Sequence, residues 1–385
     1  MESSNDTLKV LMASLQRLLK EKVGPQAGEI DRTDTFPRDI WRAFGEIGVM
    51  GVAVPEEYGG LGLGFDKLCL VTREIARVSG SCAAMAFSPL FGIYLLLHGG
   101  ASEAQRRAWL PKLASGEEMW SFCLTEAHAG SDAMAMKTTT TARSGAFEVN
   151  GVKQFISFAG EATKYIVVSR LPQVEAAGKP VGIVLIDANA PGLRIGKRDE
   201  KMGNRGIPSA EVIMEGVRIP RERVFGLDGG ARELFGIIVR RERIALASWA
   251  VGVAMGAFEY ALNHTKIRQQ FGRPIFEFQA VQMILAEMFI GISSAIGLID
   301  KACACLGRDE EYGEIYGSAA KALACEVVVE VTGKAMELLG GYGYMKEYPL
   351  ERMVRDARGF PVMAGTGEIQ KWNVARNLRH DRYRF

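Results

Sequence analysis

Apolar side chains near the start of the chain recur at three- and four-residue intervals. Leu8, Leu11, Leu15, Leu18 and Leu19 would share one face of a helix. Ile40, Trp41, Phe44 and Ile47 repeat that spacing after Phe36-Pro37, with proline at the position where a helix tolerates it best. Gly59, Gly60, Gly62 and Gly64 follow, with no buried strand before them and no βαβ unit around them; they read as a loop between helices rather than a dinucleotide-binding turn. From about Met119 to Phe225 the period shortens. Tyr165 to Val168, Val181 to Ile186 and Glu211 to Met214 are short β-rich runs, and Asn150-Gly151 between Phe147-Glu148-Val149 and Val152 to Ile156 predicts a tight type I′ hairpin. After Gly230 the helical period returns. Ile284, Leu285, Met288, Ile292, Ala295, Ile296 and Ile299 form one stripe, and Val327, Val331, Met336 and Leu339 belong to another. The pattern predicts an α+β chain that is mostly α: an N-terminal helical domain over 1–118, a central antiparallel β domain over 119–228 and a C-terminal helical bundle over 229–385.

Composition changes this picture little. At 385 residues, 48% of them hydrophobic, the chain can bury the core that several domains need. The formal charge of +2 supplies no field for nucleic acid or an anionic membrane, and the arginines from Arg376 to Arg384 read as a solvated or interfacial tail. The uncharged run from Ile244 to Phe258 is shorter than the roughly 20 residues that cross a bilayer, and is expected as a helix buried among others. The first twenty residues lack the basic and apolar blocks of a signal peptide, so the expected location is the cytoplasm. Six cysteines without a C-x-x-C pair, and four scattered histidines, show neither metal spacing nor a disulfide framework.

Four segments carry chemistry. Leu124-Thr125-Glu126-Ala127-His128-Ala129-Gly130-Ser131-Asp132 opens the β region. Arg268-Gln269-Gln270-Phe271-Gly272-Arg273-Pro274 and Gly340-Gly341-Tyr342-Gly343-Tyr344 lie in the last region. Arg355-Asp356-Ala357-Arg358 then leads to Ala364-Gly365-Thr366-Gly367-Glu368-Ile369-Gln370. In this order and spacing the chain resembles the acyl-CoA dehydrogenase family over essentially its whole length. The resemblance implies a C-terminal four-helix bundle, a homotetramer, FAD held between the β domain and the bundle, an acyl-CoA substrate, and an electron-transferring flavoprotein as redox partner. It also implies places for individual residues. Thr125, Phe155, Ser157 and the backbone near Phe122 and Leu124 would meet the flavin, where a hydroxyl can donate or accept. Arg268 and Phe271 would reach the FAD diphosphate of a neighbouring subunit, a task that suits the paired donors of a guanidinium. Glu337 and Gly341 fall at further cofactor positions, Thr366 and Glu368 near the adenosine end, and Ser131 and Arg243 at the CoA moiety.

The departures from the family pattern matter as much. The usual Pro-Gly after Thr-Glu is Ala127-His128, a tryptophan beside the flavin is Phe155, and a cofactor-facing glutamine is Glu337. Many members carry their catalytic glutamate directly before the Gly-Thr that here is Gly365-Thr366. This chain has Ala364 there, and a methyl group cannot accept a proton. The isovaleryl-CoA dehydrogenases pair a small residue at that place with a glutamate before the arginine that opens the first bundle helix; here that pair is Glu242-Arg243. The resemblance thus implies Glu242 as the base that takes the α-proton, the backbone N–H of Ala364 polarising the thioester, and room for a short, branched or cyclic acyl group. Two other readings stay open: altered chemistry on the same scaffold, such as enoyl-CoA reduction or desulfination, and an inactive FAD- or acyl-CoA-binding protein.

Overall fold

In a computed structural model, which describes residues 2–172, 181–227, 230–306, 310–380 and 383, the leucine stripe forms α1 (Glu2–Leu18) and buries Leu11 and Leu15. The helix continues through a π-helical turn at Leu19–Val23 into α2 (Gly24–Thr33). Helix α3 (Arg38–Glu46) starts after Pro37 and buries Ile40, Trp41 and Phe44. The glycine-rich segment is a loop, with Gly59, Gly62 and Gly64 at positive φ, and leads into α4 (Phe65–Ala76), α5 (Gly80–Phe87), α6 (Pro89–His98) and α7 (Glu103–Ser115).

Eight strands make the middle sheet: β1 (Trp120–Cys123), β2 (Thr139–Arg143), β3 (Ala146–Ser157), β4 (Lys164–Arg170), β5 (Val181–Asp187), β6 (Leu193–Arg198), β7 (Ser209–Ile219) and β8 (Val224–Phe225). Their order is β6-β7-β3-β2-β4-β5-β8, with β1 paired to β4. The sheet is mainly antiparallel, as expected, but β1 runs parallel to β4, and β2 touches β4 in parallel at one residue pair. The long connection that parallel strands require is here the β2–β3 hairpin itself. Alternate residues of β4 face two different cores: Tyr165 and Val167 pack within the sheet domain, while Ile166 and Val168 join the helices. A strand buried on both faces reads as an unbroken apolar run, which is why β4 and β5 are so plain in the sequence.

The hairpin expected at Asn150-Gly151 does not form. Both residues lie inside the continuous strand β3, at a register shift against β7, and the chain reverses instead at Gly145, between β2 and β3. Asn150 accepts from the Gly216 N–H at 2.7 Å, so its polar side chain serves the neighbouring strand β7 rather than a turn of its own. Gly151 has φ of 150°, and a Cβ there would lie 2.4 Å from Thr138 Oγ1. An Asn-Gly pair satisfies a bulge as well as a turn, since both need positive φ at glycine.

Four helices, α8 (Ala231–Ile267), α9 (Gln279–Leu306), α10 (Glu310–Leu338) and α12 (Gly367–Leu378), pack as the C-terminal bundle, with the short α11 (Leu350–Ala357) against them. The junction at 228/229 and the arginines at 382 and 384 lie outside the described residues. Helix α8 buries the uncharged run and meets α4 closely at Gly252 and Gly256, where a Cβ would come within 2.3 Å and 2.1 Å of the Arg73 and Arg77 carbonyls. Among the described residues, three helical stretches, Gly80–His98, Ala231–Ile267 and Gln279–Leu306, are long and apolar enough to cross a membrane by length and composition. The most apolar windows of the first two are 94% and 78% buried inside the protein, whereas that of α9 is only 28% buried.

Candidate functional site

The segment after β1 is held by a buried ion pair. Glu126 is 4% exposed and accepts from the backbone N–H groups of Lys137 (2.7 Å) and Thr138 (3.0 Å) and from Lys153 Nζ (2.8 Å). Burial alone would raise its carboxyl, but these donors outweigh burial and hold it down at about 2. Lys153, fully buried, also donates to the Leu124 carbonyl at 2.9 Å, and the Gln154 N–H donates to the Thr125 carbonyl at 2.8 Å. The Leu124-Thr125-Glu126 stretch is thereby fastened along β3. Directly beyond Lys153 the β3–β7 register shifts again, Phe155 adopts φ of 58° and its ring is 63% exposed. Ser157 is exposed as well, and its carbonyl accepts from Ser121 Oγ at 2.6 Å. Thr125, Phe155, Ser157 and the backbone at Leu124 thus come to one edge of the sheet. Phe122 in β1 stacks on Phe91 of α6, with centroids 4.9 Å apart and planes at 5°.

A second cluster surrounds Lys321, which is fully buried in α10. Its ammonium donates to the Gly365 carbonyl, while Gln370 Nε2 donates to the carbonyls of Ala364 (3.1 Å) and Gly365 (3.2 Å). Ala364 sits at φ of 52°. Thr366 caps α12 by accepting from the Ile369 N–H at 3.3 Å, and Glu368 stands exposed in the first turn. Glu242 of α8 lies near enough to Lys321 to feel its charge. It keeps partial solvent contact, yet burial pushes its carboxyl up to about 7 against the pull of Arg243 and Lys321. Arg243 donates to Ser318 Oγ at 3.4 Å and leaves its buried Nε without a protein partner. Ser131 lies exposed in the loop after β1, and the neighbouring His128, 41% exposed at its side chain, approaches Glu126 Oε2 at 3.4 Å.

A third group is remote from the second. Arg268, Glu337 and Gly341 line a cavity of about 530 Å³ together with His264 and Tyr342, and the Arg268 guanidinium lies 5.7 Å from the Tyr342 ring centre. A Cβ on Gly341 would meet nothing within 4 Å. Phe271 projects from the adjoining hairpin, with φ of 53° and 92% exposure. Arg268 follows Glu242 by 26 residues along one unbroken helix, a separation of about 39 Å at 1.5 Å per residue.

Among the described residues, three of the six non-glycine residues at positive φ, Phe155, Phe271 and Ala364, are ones the sequence had already singled out. Such conformations cost energy and collect where a site is held in a required shape. Sequence reasoning missed Lys153, Lys321 and Gln370 as the groups that hold the site's backbone. The available signal was a lone lysine in an otherwise small and apolar helical stretch, Ser318 to Cys325, and a lysine at an inward position of β3.

Family models for the N-terminal, middle and C-terminal domains of acyl-CoA dehydrogenases match residues 5–117, 121–217 and 237–379. An acyl-CoA dehydrogenase of Bacillus subtilis is 33% identical over 96% of this chain and 97% of its own. A cyclohex-1-ene-1-carbonyl-CoA dehydrogenase of Syntrophus aciditrophicus is 33% identical over 98% and 91%. Among solved structures, butyryl-CoA dehydrogenase from Megasphaera elsdenii superposes with a TM-score of 0.89 at 28% identity, covering 98% of each chain.

Proposed function

Because the chain belongs to the acyl-CoA dehydrogenase family, whose members carry FAD, we propose that it removes a pair of hydrogens from the α and β carbons of an acyl-CoA thioester, with Glu242 as the base. The observation that carries this reading is the carboxyl of Glu242. Burial brings it to about 7, matched to proton abstraction at neutral pH, and it senses the charge of Lys321, which donates to the loop where many members of the family keep their own glutamate.

The residues present fit FAD. The sheet edge offers an exposed hydroxyl at Ser157 and an exposed ring at Phe155 on a bulge that Lys153 and Glu126 brace. The open space over Gly341 beside Arg268 could admit a diphosphate. Phe122, Leu124, Thr125, Phe155 and Ser157 would hold the flavin; Arg268, Phe271, Glu337 and Gly341 its diphosphate end; Thr366 and Glu368 the adenosine end. When bound, the flavin supplies an oxidant that takes the β-hydrogen as hydride. Glu242 receives the α-proton. The Ala364 and Gly365 carbonyls are occupied by Gln370 and Lys321, so the loop is braced from that side and the Ala364 N–H can polarise the thioester carbonyl and stabilise the developing enolate. Arg243 and Ser131 would meet the CoA moiety, for which the unpartnered Arg243 Nε is an available donor.

Two further features support assembly. Arg268 and Glu242 are too far apart on α8 to serve one cofactor from one subunit, and α9 exposes Met283, Phe289 and Ile290. We infer a homotetramer in which Arg268 completes a neighbour's site, an electron-transferring flavoprotein as acceptor, and a cytoplasmic location. Anaerobic titration of the FAD-loaded protein with saturated acyl-CoAs tests the reading: the flavin absorbance should bleach and a 2-enoyl-CoA should appear. A flavin that no acyl-CoA reduces would overturn it.

A further inference from the structure

The helical stripe that carries Glu242 continues into an aromatic block. Ala245, Leu246 and Trp249 follow on the same face of α8, all 3% exposed or less, and Trp249 lies seven residues beyond Glu242, two turns or about 10 Å along the axis and within roughly 20° of the same direction. Its ring packs 5.6 Å from Phe87 of α5 and 5.0 Å, edge to face, from Phe360, four residues before Ala364. Phe87 in turn lies 6.1 Å from Phe91, the ring on which Phe122 stacks. One row of rings therefore runs from the sheet edge expected to hold the flavin, across α6 and α5, to the segment that leads to Ala364.

We propose that Trp249, backed by Phe87 and Phe360, is the end wall of the acyl pocket and restricts the substrate to short acyl groups. The inference rests on the acyl-CoA reading above. The reacting carbons must lie between Glu242 and the Phe122 edge. Around Glu242 the groups are polar on the side of Arg243, Ser318 and Lys321 and apolar along its own face of α8, where Ile238 and Val239 precede it and Ala245, Leu246 and Trp249 follow it; the apolar side that joins the row of rings reaching Phe122 is the second. An apolar acyl tail goes to the apolar side and meets the indole within two helical turns. The Trp249 Nε1–H is buried with no hydrogen-bond partner in the protein. An unmet donor is a cost that a phenylalanine would not carry, so the residue is suited to this position by its bulk. Ala364 leaves width beside the base while Trp249 removes depth, a shape that fits a short branched or cyclic group better than a long straight one.

The test is calorimetric binding of straight-chain 2-enoyl-CoAs, from four to ten acyl carbons, to the oxidised FAD-loaded enzyme and to Trp249→Ala. Each methylene that is buried adds roughly fourfold to affinity. Wild-type affinity should stop rising after the shortest members, and Trp249→Ala should extend the rise to longer chains. Should that variant not fold, Trp249→Phe, which keeps a ring and drops the unmet N–H, should move the break by about one methylene. A wild-type affinity that climbs steadily to ten carbons overturns the proposal, as does an unchanged break in a folded variant. If the wild type reduces its flavin with long acyl-CoAs, only this inference fails. If no acyl-CoA binds or reduces it, the functional reading fails with it.

Discussion

Glu242 shows how far one residue can be read from its neighbours in sequence. Its identity as a candidate came from Ala364, a distant position that lacks a carboxylate, and its burial supplies the basicity that an exposed glutamate would not have. Glu242→Gln keeps the size but cannot take a proton, so flavin reduction by acyl-CoA should slow by roughly 10²–10⁴-fold in stopped-flow measurements while FAD stays bound. In the wild type, kcat/KM should rise with pH through about 7 and then level, because the free enzyme's base must be ionised. The same substitution should remove that limb. Glu337 is the opposite case: it stands where the family pattern has a glutamine, and it lines one cavity with Arg268. Glu337→Gln should tighten FAD retention by a few-fold, about 1 kcal/mol for one exposed like charge removed near a diphosphate, as read from FAD release during dialysis.

At the scale of elements, β3 differs most from expectation. Asn150-Gly151 looked like a turn because turn and bulge demand the same backbone of the same two residues, and only pairing with β7 distinguishes them. Gly151→Val should therefore destabilise the protein through strain at φ of 150° and collision with Thr138. About 1–3 kcal/mol is expected from the strain alone, visible as a lower midpoint in urea unfolding. The Lys153–Glu126 pair, whose lysine lies two residues beyond Gly151, has a larger effect. Lys153→Met leaves a buried carboxylate without its counter-ion, at a cost of about 3–5 kcal/mol. Lys153→Met with Glu126→Gln should recover part of this loss, since no charge is then stranded.

For the whole molecule, buried carboxyls set the pH range of stability. Glu126, held at about 2, is stabilising above its ordinary value of 4.5 and loses that contribution as pH falls toward 2. Glu242, raised to about 7, and Asp356, raised by burial to about 6, act in the other sense. Their stabilisation is fully present below their ordinary values of 4.5 and 3.8 and is lost as pH rises from there through about 7 for Glu242 and about 6 for Asp356. Thermal melts of the cofactor-free protein should peak near about pH 4.5, decline as pH rises from there to about 7 and then level, and Glu242→Gln should flatten that decline. Assembly adds a separate dependence. Arg268→Ala should weaken FAD binding while circular dichroism stays unchanged, and dilution below the assembly threshold should release FAD from the wild type. A dispersed monomer that holds FAD as tightly as the assembled protein would exclude a role for Arg268 across subunits.

The sequence by itself determined the order of helical, sheet and helical regions, because periods of 3.6 and 2 residues are local properties of the chain. It also marked the motifs from which the proposed chemistry is argued, since a cation for a diphosphate or a carboxylate for a proton is a matter of side-chain identity. Tertiary structure decided what depends on neighbours far along the chain. It turned the Asn150-Gly151 pair into a bulge through β7, paired β1 in parallel with β4, and buried Lys153 and Lys321 where their ammonium groups brace the two loops of the site. It also set the pKa of Glu242, which no reading of residues 240 to 245 contains, because desolvation is produced by the elements packed against α8 and not by α8 itself.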